Sequence, residues 1–164
     1  MLETQEIQNN TAIWHQLINQ ERDYLITRQT FLNSYTDKVN LFKNALQNPT
    51  ERTTVLHLFT DLTLEERQSL FDELIKLASV GHSDIELVRN VILSFDKTWI
   101  LNNIEKSAES ILNNGTDEEY RRLLELYINI DQDLTKRLVK QALETDDPDI
   151  YEVGEDFQNY LKNR

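Results

Sequence analysis

Apolar residues recur along the chain every three to four positions, the spacing that lines one face of an α-helix. In the first segment Trp14, Leu17, Ile18, Leu25, Phe31 and Leu32 form such a stripe, opening near the Asn9-Asn10-Thr11 caps and running to about Asn33. Ser34, with Asp37 three residues on, is placed to cap a second helix that buries Val39, Phe42 and Leu46. Asn48-Pro49 ends that helix and starts the next. Asn48 suits the N-cap, Pro49 the first helical position where its missing N–H costs nothing, and Glu51 completes a capping box. Thr63 with Glu66, Ser83 with Glu86 and Thr116 with Glu119 repeat the S/T-x-x-E pattern, and Asp147-Pro148 repeats the cap-then-proline logic. The punctuation predicts nine helices, at about 11–32, 35–47, 49–60, 64–80, 84–95, 98–113, 117–130, 133–145 and 148–162. No useful stretch alternates apolar with polar residues, so no strand is expected.

The turns keep a regular spacing. Asn48-Pro49, Gly81-His82, Asn114-Gly115 and Asp147-Pro148 lie 33 residues apart, and the turns opening at Asp61, Asp96 and Asp131 lie 35 apart. Short and long helices therefore alternate, one hairpin every 33–35 residues, and periods of this size mark stacked helical repeats. Two side-chain columns share the period: Leu58, Val91, Leu124 and Phe157, and four residues on Leu62, Phe95, Ile128 and Leu161. Leu64, Trp99 and Leu134 begin the longer helices in register. Other columns drift, as Val55 and Val88 align with Arg121 and Gly154. Stacking between nearest neighbours tolerates such drift. The alternative is an irregular helical bundle whose hairpins happen to match in length. Residues 1–164 are expected to form one all-helical domain, an N-terminal helix at 1–33 followed by about four hairpins at 34–164.

Composition narrows the function classes. The 164 residues include no Cys, so disulfides, thiolate metal sites and Cys nucleophiles are excluded. Three Gly and two Pro fit helices better than a turn-rich β protein. No apolar run approaches the length of a membrane span. The first 25 residues carry acids and amides in place of a basic region and an apolar one, so no signal peptide is expected and a cytoplasmic location is. The formal net charge is −12, and it is uneven. Residues 1–82 hold eleven acids against seven bases, and residues 83–164 eighteen against ten. Nucleic acid and anionic membrane would repel such a chain. A protein partner with a basic surface would be attracted, although the same charge also serves plain solubility.

No motif of catalysis or cofactor binding stands out. His15, His57 and His82 fall in neither H-E-x-x-H nor E-x-x-H. His82 lies in a turn, where local hydrogen bonding is its expected role. The acidic run from Glu144 to Asp149 lacks the glycine of a calcium loop, and its acids suit a helix N-terminus instead. Gly81, Gly115 and Gly154 are too far apart for a phosphate loop, and G-x-S-x-G does not occur. No catalytic, cofactor or metal residue is therefore assigned. Trp14 and Trp99 open apolar helical faces, so core packing is expected of both.

The stretch from Ala142 through Asp147-Pro148-Asp149-Ile150 to Gly154 and Phe157 resembles the HEAT family of helical repeats. It has a leucine, a D-P-[DE] turn, a β-branched residue at Ile150 and a small residue four positions later at Gly154. Leu77 to Arg89, with its Val88-Arg89 pair, is a second match, while Tyr151 stands where the family usually has Arg. The tetratricopeptide anchors are not in register. The resemblance implies a right-handed α-α superhelix whose shorter helices line a concave, protein-binding face. On that reading the chain is a non-catalytic interaction module or scaffold, with Tyr120, Arg121, Tyr127 and Tyr151 as candidate contact residues. Arg121-Arg122 also has Asp117, Glu118 and Glu125 at pairing distance along its own helix. Two other readings remain open: an acidic inhibitor or immunity-type protein that neutralises a basic toxin or nuclease, and an enzyme whose site assembles between helices.

Overall fold

The computed structural model describes residues 2–34 and 36–163, with side chains described from residue 10 onward. Helix accounts for 84% of the chain and no strand occurs among the described residues, so the all-helical reading holds. The chain forms two compact units, Met1–Lys38 and Val39–Arg164.

The first unit is essentially α1 (Leu2–Ser34). It runs through Ser34, so that residue does not cap the following helix. Its stripe is largely solvent-facing: Trp14 is 58% exposed, Leu17 54% and Leu25 51%. Core packing of Trp14 was the wrong expectation, for a physical reason. A lone helix has no second layer within its own unit to receive an apolar face.

In the second unit α2 (Lys38–Gln47) meets α3 (Pro49–Leu58) at the Asn48 turn. Asn48 accepts from the Thr50 N–H at 3.1 Å, and its side-chain amide donates to Glu51 at 2.8 Å. That second bond joins two side chains, so the reciprocal backbone bond of a capping box is not made here. A 3-10 turn at Phe59–Asp61 closes α3. The region expected as one helix at 64–80 is two, α4 (Leu64–Ser69) and α5 (Phe71–Ala78). The joint is Leu70, whose N–H bonds back to Arg67 and Gln68 in a tightened turn. Ser69 Oγ donates to the Glu65 carbonyl at 2.8 Å beside it, the back-bonding that bends helices. The bend changes the helix phase. Helix α4 buries nothing and Leu64 is 64% exposed, while Leu70, Phe71, Leu74 and Ile75 are all at 2% or less. Leu64 does open a helix, as its register suggests, but it faces solvent.

Four helices complete the unit after α6 (Ile85–Leu93): α7 (Lys97–Leu112), α8 (Asp117–Ile130), α9 (Gln132–Leu143) and α10 (Pro148–Lys162). Thr63 and Thr116 form full capping boxes with Glu66 and Glu119. Ser83 does not, because the N-cap of α6 is the next residue, Asp84; the Asp84 N–H donates to His82 Nδ1 at 3.1 Å. Helix α9, at 12 residues, is shorter than α8 at 14, so the expected alternation of short and long lapses there.

The column Leu58, Val91, Leu124 and Phe157 is buried throughout, at 9% exposure or less. Leu62 and Phe95 are buried in the second column, with Ile128 and Leu161 half-buried. Gly154 marks a close approach: a Cβ there would come within 3.0 Å of Leu143 and 3.2 Å of Ala142. Helices of one hairpin meet helices of the next, α3 with α6, α5 with α7, and α8 with α10, and α5 also meets α8. Polar bridges follow the same rule. Thr53 joins Asp84, Asp72 joins Ser107, Arg89 joins Glu125, Glu105 joins Arg137, and Arg121 joins Asp156. Their sequence separations, 31 to 36 residues, sit at or near the period of the turns.

Candidate functional site

Helices α3, α6, α8 and α10 open successive hairpins, and the candidate contact residues lie on the last two. Tyr120 is 5% exposed and its hydroxyl accepts from Gln141 Nε2 at 3.2 Å. Tyr127 is 1% exposed. Both hold core positions of α8, one just before the arginine pair and one just before Ile128, so neither ring is available at the surface. Burial pushes both phenols up from their ordinary value. Tyr151 is 41% exposed on α10. Arg121 reaches across to Asp156 at 2.9 Å, whereas Arg122 pairs with Glu125 along its own helix at 3.2 Å. Of the four candidates, Arg121 and Tyr151 remain at the surface, in the company of Glu152, Glu155 and Asp156.

The capping acids act as structural groups. Burial pushes the Glu119 carboxyl up, but the Thr116 N–H and hydroxyl outweigh it and hold the group below its ordinary value of 4.5. A depressed folded-state pKa gives stability that is present above the unfolded value and lost as pH falls through the folded one. A Glu119→Gln variant is therefore expected to lose less stability than the parent between about pH 5 and pH 3. Thermal melts across that range check it, and parallel curves would refute the assignment. Asp131 is likewise held low by N–H donation from Leu134 and by Lys97 at 3.1 Å. Asp147 accepts from the N–H groups of Asp149 and Ile150, so the acidic run does cap a helix. His82 takes the Asp84 N–H at Nδ1, which leaves Nε2 to donate to the Leu77 carbonyl at 3.0 Å. His15 and His57 are exposed.

A cavity of about 120 Å³ lies between α7 and α9. Helix α7 contributes Glu105 and Glu109 from one face, and its C-cap Asn113 follows four residues on. Helix α9 contributes Arg137 and Gln141, and Tyr127 of α8 closes the inside. Arg137 donates from Nε and a terminal nitrogen to the two Glu105 oxygens, at 2.8 and 3.0 Å. That bond keeps its guanidinium firmly protonated, and Asp131 and Asp133 reinforce it. The Tyr127 hydroxyl is buried and meets no hydrogen-bond partner among the described residues. Nothing in the sequence singles out this group. Glu105, Glu109 and Arg137 read as a solvated helix surface, and only the unpaired hydroxyl distinguishes them.

Among the described residues no three His, Cys, Asp or Glu side chains converge as metal ligands, and no helix is long and apolar enough to cross a membrane. Compared with known proteins, the chain matches no family model, no curated protein and no solved structure.

Proposed function

We propose that the chain is a non-catalytic, cytoplasmic protein-binding module. In this reading Val39–Arg164 is a right-handed superhelix of stacked HEAT-like hairpins, and the partner docks on the face of the hairpins' first helices. The observation that carries the reading is the set of polar bridges at 31 to 36 residues, each joining a helix to the equivalent helix of the next hairpin. Stacked repeats make contacts of this kind, since each repeat touches its neighbours. The partner's chemistry follows from charge. Tyr151, Glu152 and Glu155 stand exposed on α10 in a chain of net charge −12, and they would steer a basic surface toward them.

The test captures partners of the full chain from native lysate and washes in rising salt, beside a Tyr151→Ala/Glu155→Lys variant. A stoichiometric basic partner that is lost at high salt and not captured by the variant supports the module. A partner held equally by the variant, or no partner at low salt, refutes it. A toxic or nucleolytic partner bound one-to-one, with a steeply salt-dependent on-rate, points to the inhibitor reading instead.

A further inference from the structure

Helix α1 presents an apolar face that its own unit leaves open. Three columns at heptad spacing make up that face. Leu17, Tyr24 and Phe31 form one edge, and Ile18, Leu25 and Leu32 the other. Trp14, Glu21 and Arg28 run down the middle between them. Ile13, Trp14, Leu17, Tyr24 and Leu25 are each 45% exposed or more. A contiguous exposed apolar surface marks an interaction site, and a helix draws most of its stability from packing such a face.

The two charges on the midline decide what covers it. Glu21 is exposed, and Arg28 is half-buried and also interacts within its own chain. They lie about 10 Å apart along the helix axis, so a covering layer must answer one negative and one positive charge. A basic surface would satisfy Glu21 and oppose Arg28. A second copy laid parallel would set Glu21 on Glu21 and Arg28 on Arg28. A second copy laid antiparallel answers both. Glu21 and Arg28 are equally spaced about the midpoint between Tyr24 and Leu25. A two-fold axis there brings Glu21 of each copy level with Arg28 of the other, and Leu17 level with Leu32, because contacts across such an axis are reciprocal. Net charge agrees. Residues 10–34 hold two acids and two bases, so this segment is neutral in a chain of net charge −12. Copies that repel one another elsewhere meet here without that repulsion. The opposite face sets Arg22 beside Asp23, without the cluster of basic residues that holds a helix on an anionic membrane.

We propose that α1 pairs antiparallel with α1 of a second copy, giving a two-fold dimer whose register is set by reciprocal Glu21–Arg28 pairs. Sedimentation equilibrium of the full chain over a range of concentrations tests it, beside Glu21→Arg, Arg28→Glu and the double variant. Each single reversal puts like charges together at two symmetric places and should weaken the dimer about tenfold or more. The double variant exchanges the signs and should restore the parental affinity at the same ionic strength. A parallel pair would instead leave all four proteins alike. The substituted positions lie outside Val39–Arg164, and a cooperative melt in each variant shows that this unit stays folded. A monomer at every concentration, equal affinity in all four proteins, or a double variant as weak as the singles overturns the assignment. So does a monomeric chain that floats with phosphatidylcholine vesicles, which would give the face to lipid. None of these readouts requires the partner of the proposed function, so either proposal can fail alone.

Discussion

Phe95→Ala is expected to destabilise the Val39–Arg164 unit by about 3–5 kcal/mol, the range for emptying a packed aromatic site. Phe95 is 7% exposed and sits at the centre of an aromatic group. Trp99 stacks on it at 5.2 Å between centroids, Phe71 meets it edge-on at 5.3 Å, and Phe59 lies tilted at 5.9 Å. The Arg67 guanidinium covers the group, 4.9 Å from the Phe95 ring centre and 5.6 Å from that of Phe59. The same side chain donates to Ser94 Oγ at 2.9 Å, which fixes it over the rings. Removing the ring opens a void bordered by three aromatics and a cation, and none of them reaches the gap without leaving its other contacts. Phe95→Leu retains most of the volume and should cost less than half as much. Urea titration followed by far-ultraviolet circular dichroism reads both. A cost below about 1 kcal/mol for the alanine variant would mean that the group is not packed as described.

How much of this was legible in the sequence depends on which interactions are local. Capping is local, and Thr63, Thr116 and Asp147 perform as their spacing suggests. Ser83 fails because α6 starts one residue later, with Asp84 at the N-cap. The bend at Leu70 has no proline or glycine to announce it. Its local correlate is the Ser69 hydroxyl, which bonds back to the Glu65 carbonyl. Periodicity placed Tyr120 and Tyr127 on α8 but not their direction. The helix buries a wide face on which Tyr120, Leu123, Leu124, Leu126, Tyr127 and Ile130 all lie, so both phenols point inward. The cavity was hidden for a related reason. Glu105 and Arg137 are 32 residues apart, and the unpaired state of Tyr127 exists only once three helices are assembled.

Arg52→Ala is expected to cost about 2–4 kcal/mol, more than any other charge removal in the chain. Arg52 is 7% exposed on α3, the one charged side chain buried to that degree among the described residues. It donates from Nε to the Leu46 carbonyl at 2.8 Å, near the end of α2, and a terminal nitrogen lies 3.7 Å from Asp84 at the start of α6. One side chain thus ties three helices together. Two consequences of its loss differ in size. The Leu46 carbonyl, in a residue with no exposed surface, would be left without this donor at about 1–3 kcal/mol. Asp84 is less affected, since it keeps the Thr53 hydroxyl at 3.1 Å. Most of the effect therefore falls on the carbonyl and little on the ion pair. Asp84→Asn should then cost under about 1.5 kcal/mol, and the double variant should come close to the sum of the two singles. A coupling energy above about 2 kcal/mol in that cycle would reverse the ranking and make the Arg52–Asp84 pair the principal tie. Arg52→Met, which fills the same space without the donor, separates the hydrogen bond from the packing of the aliphatic stem.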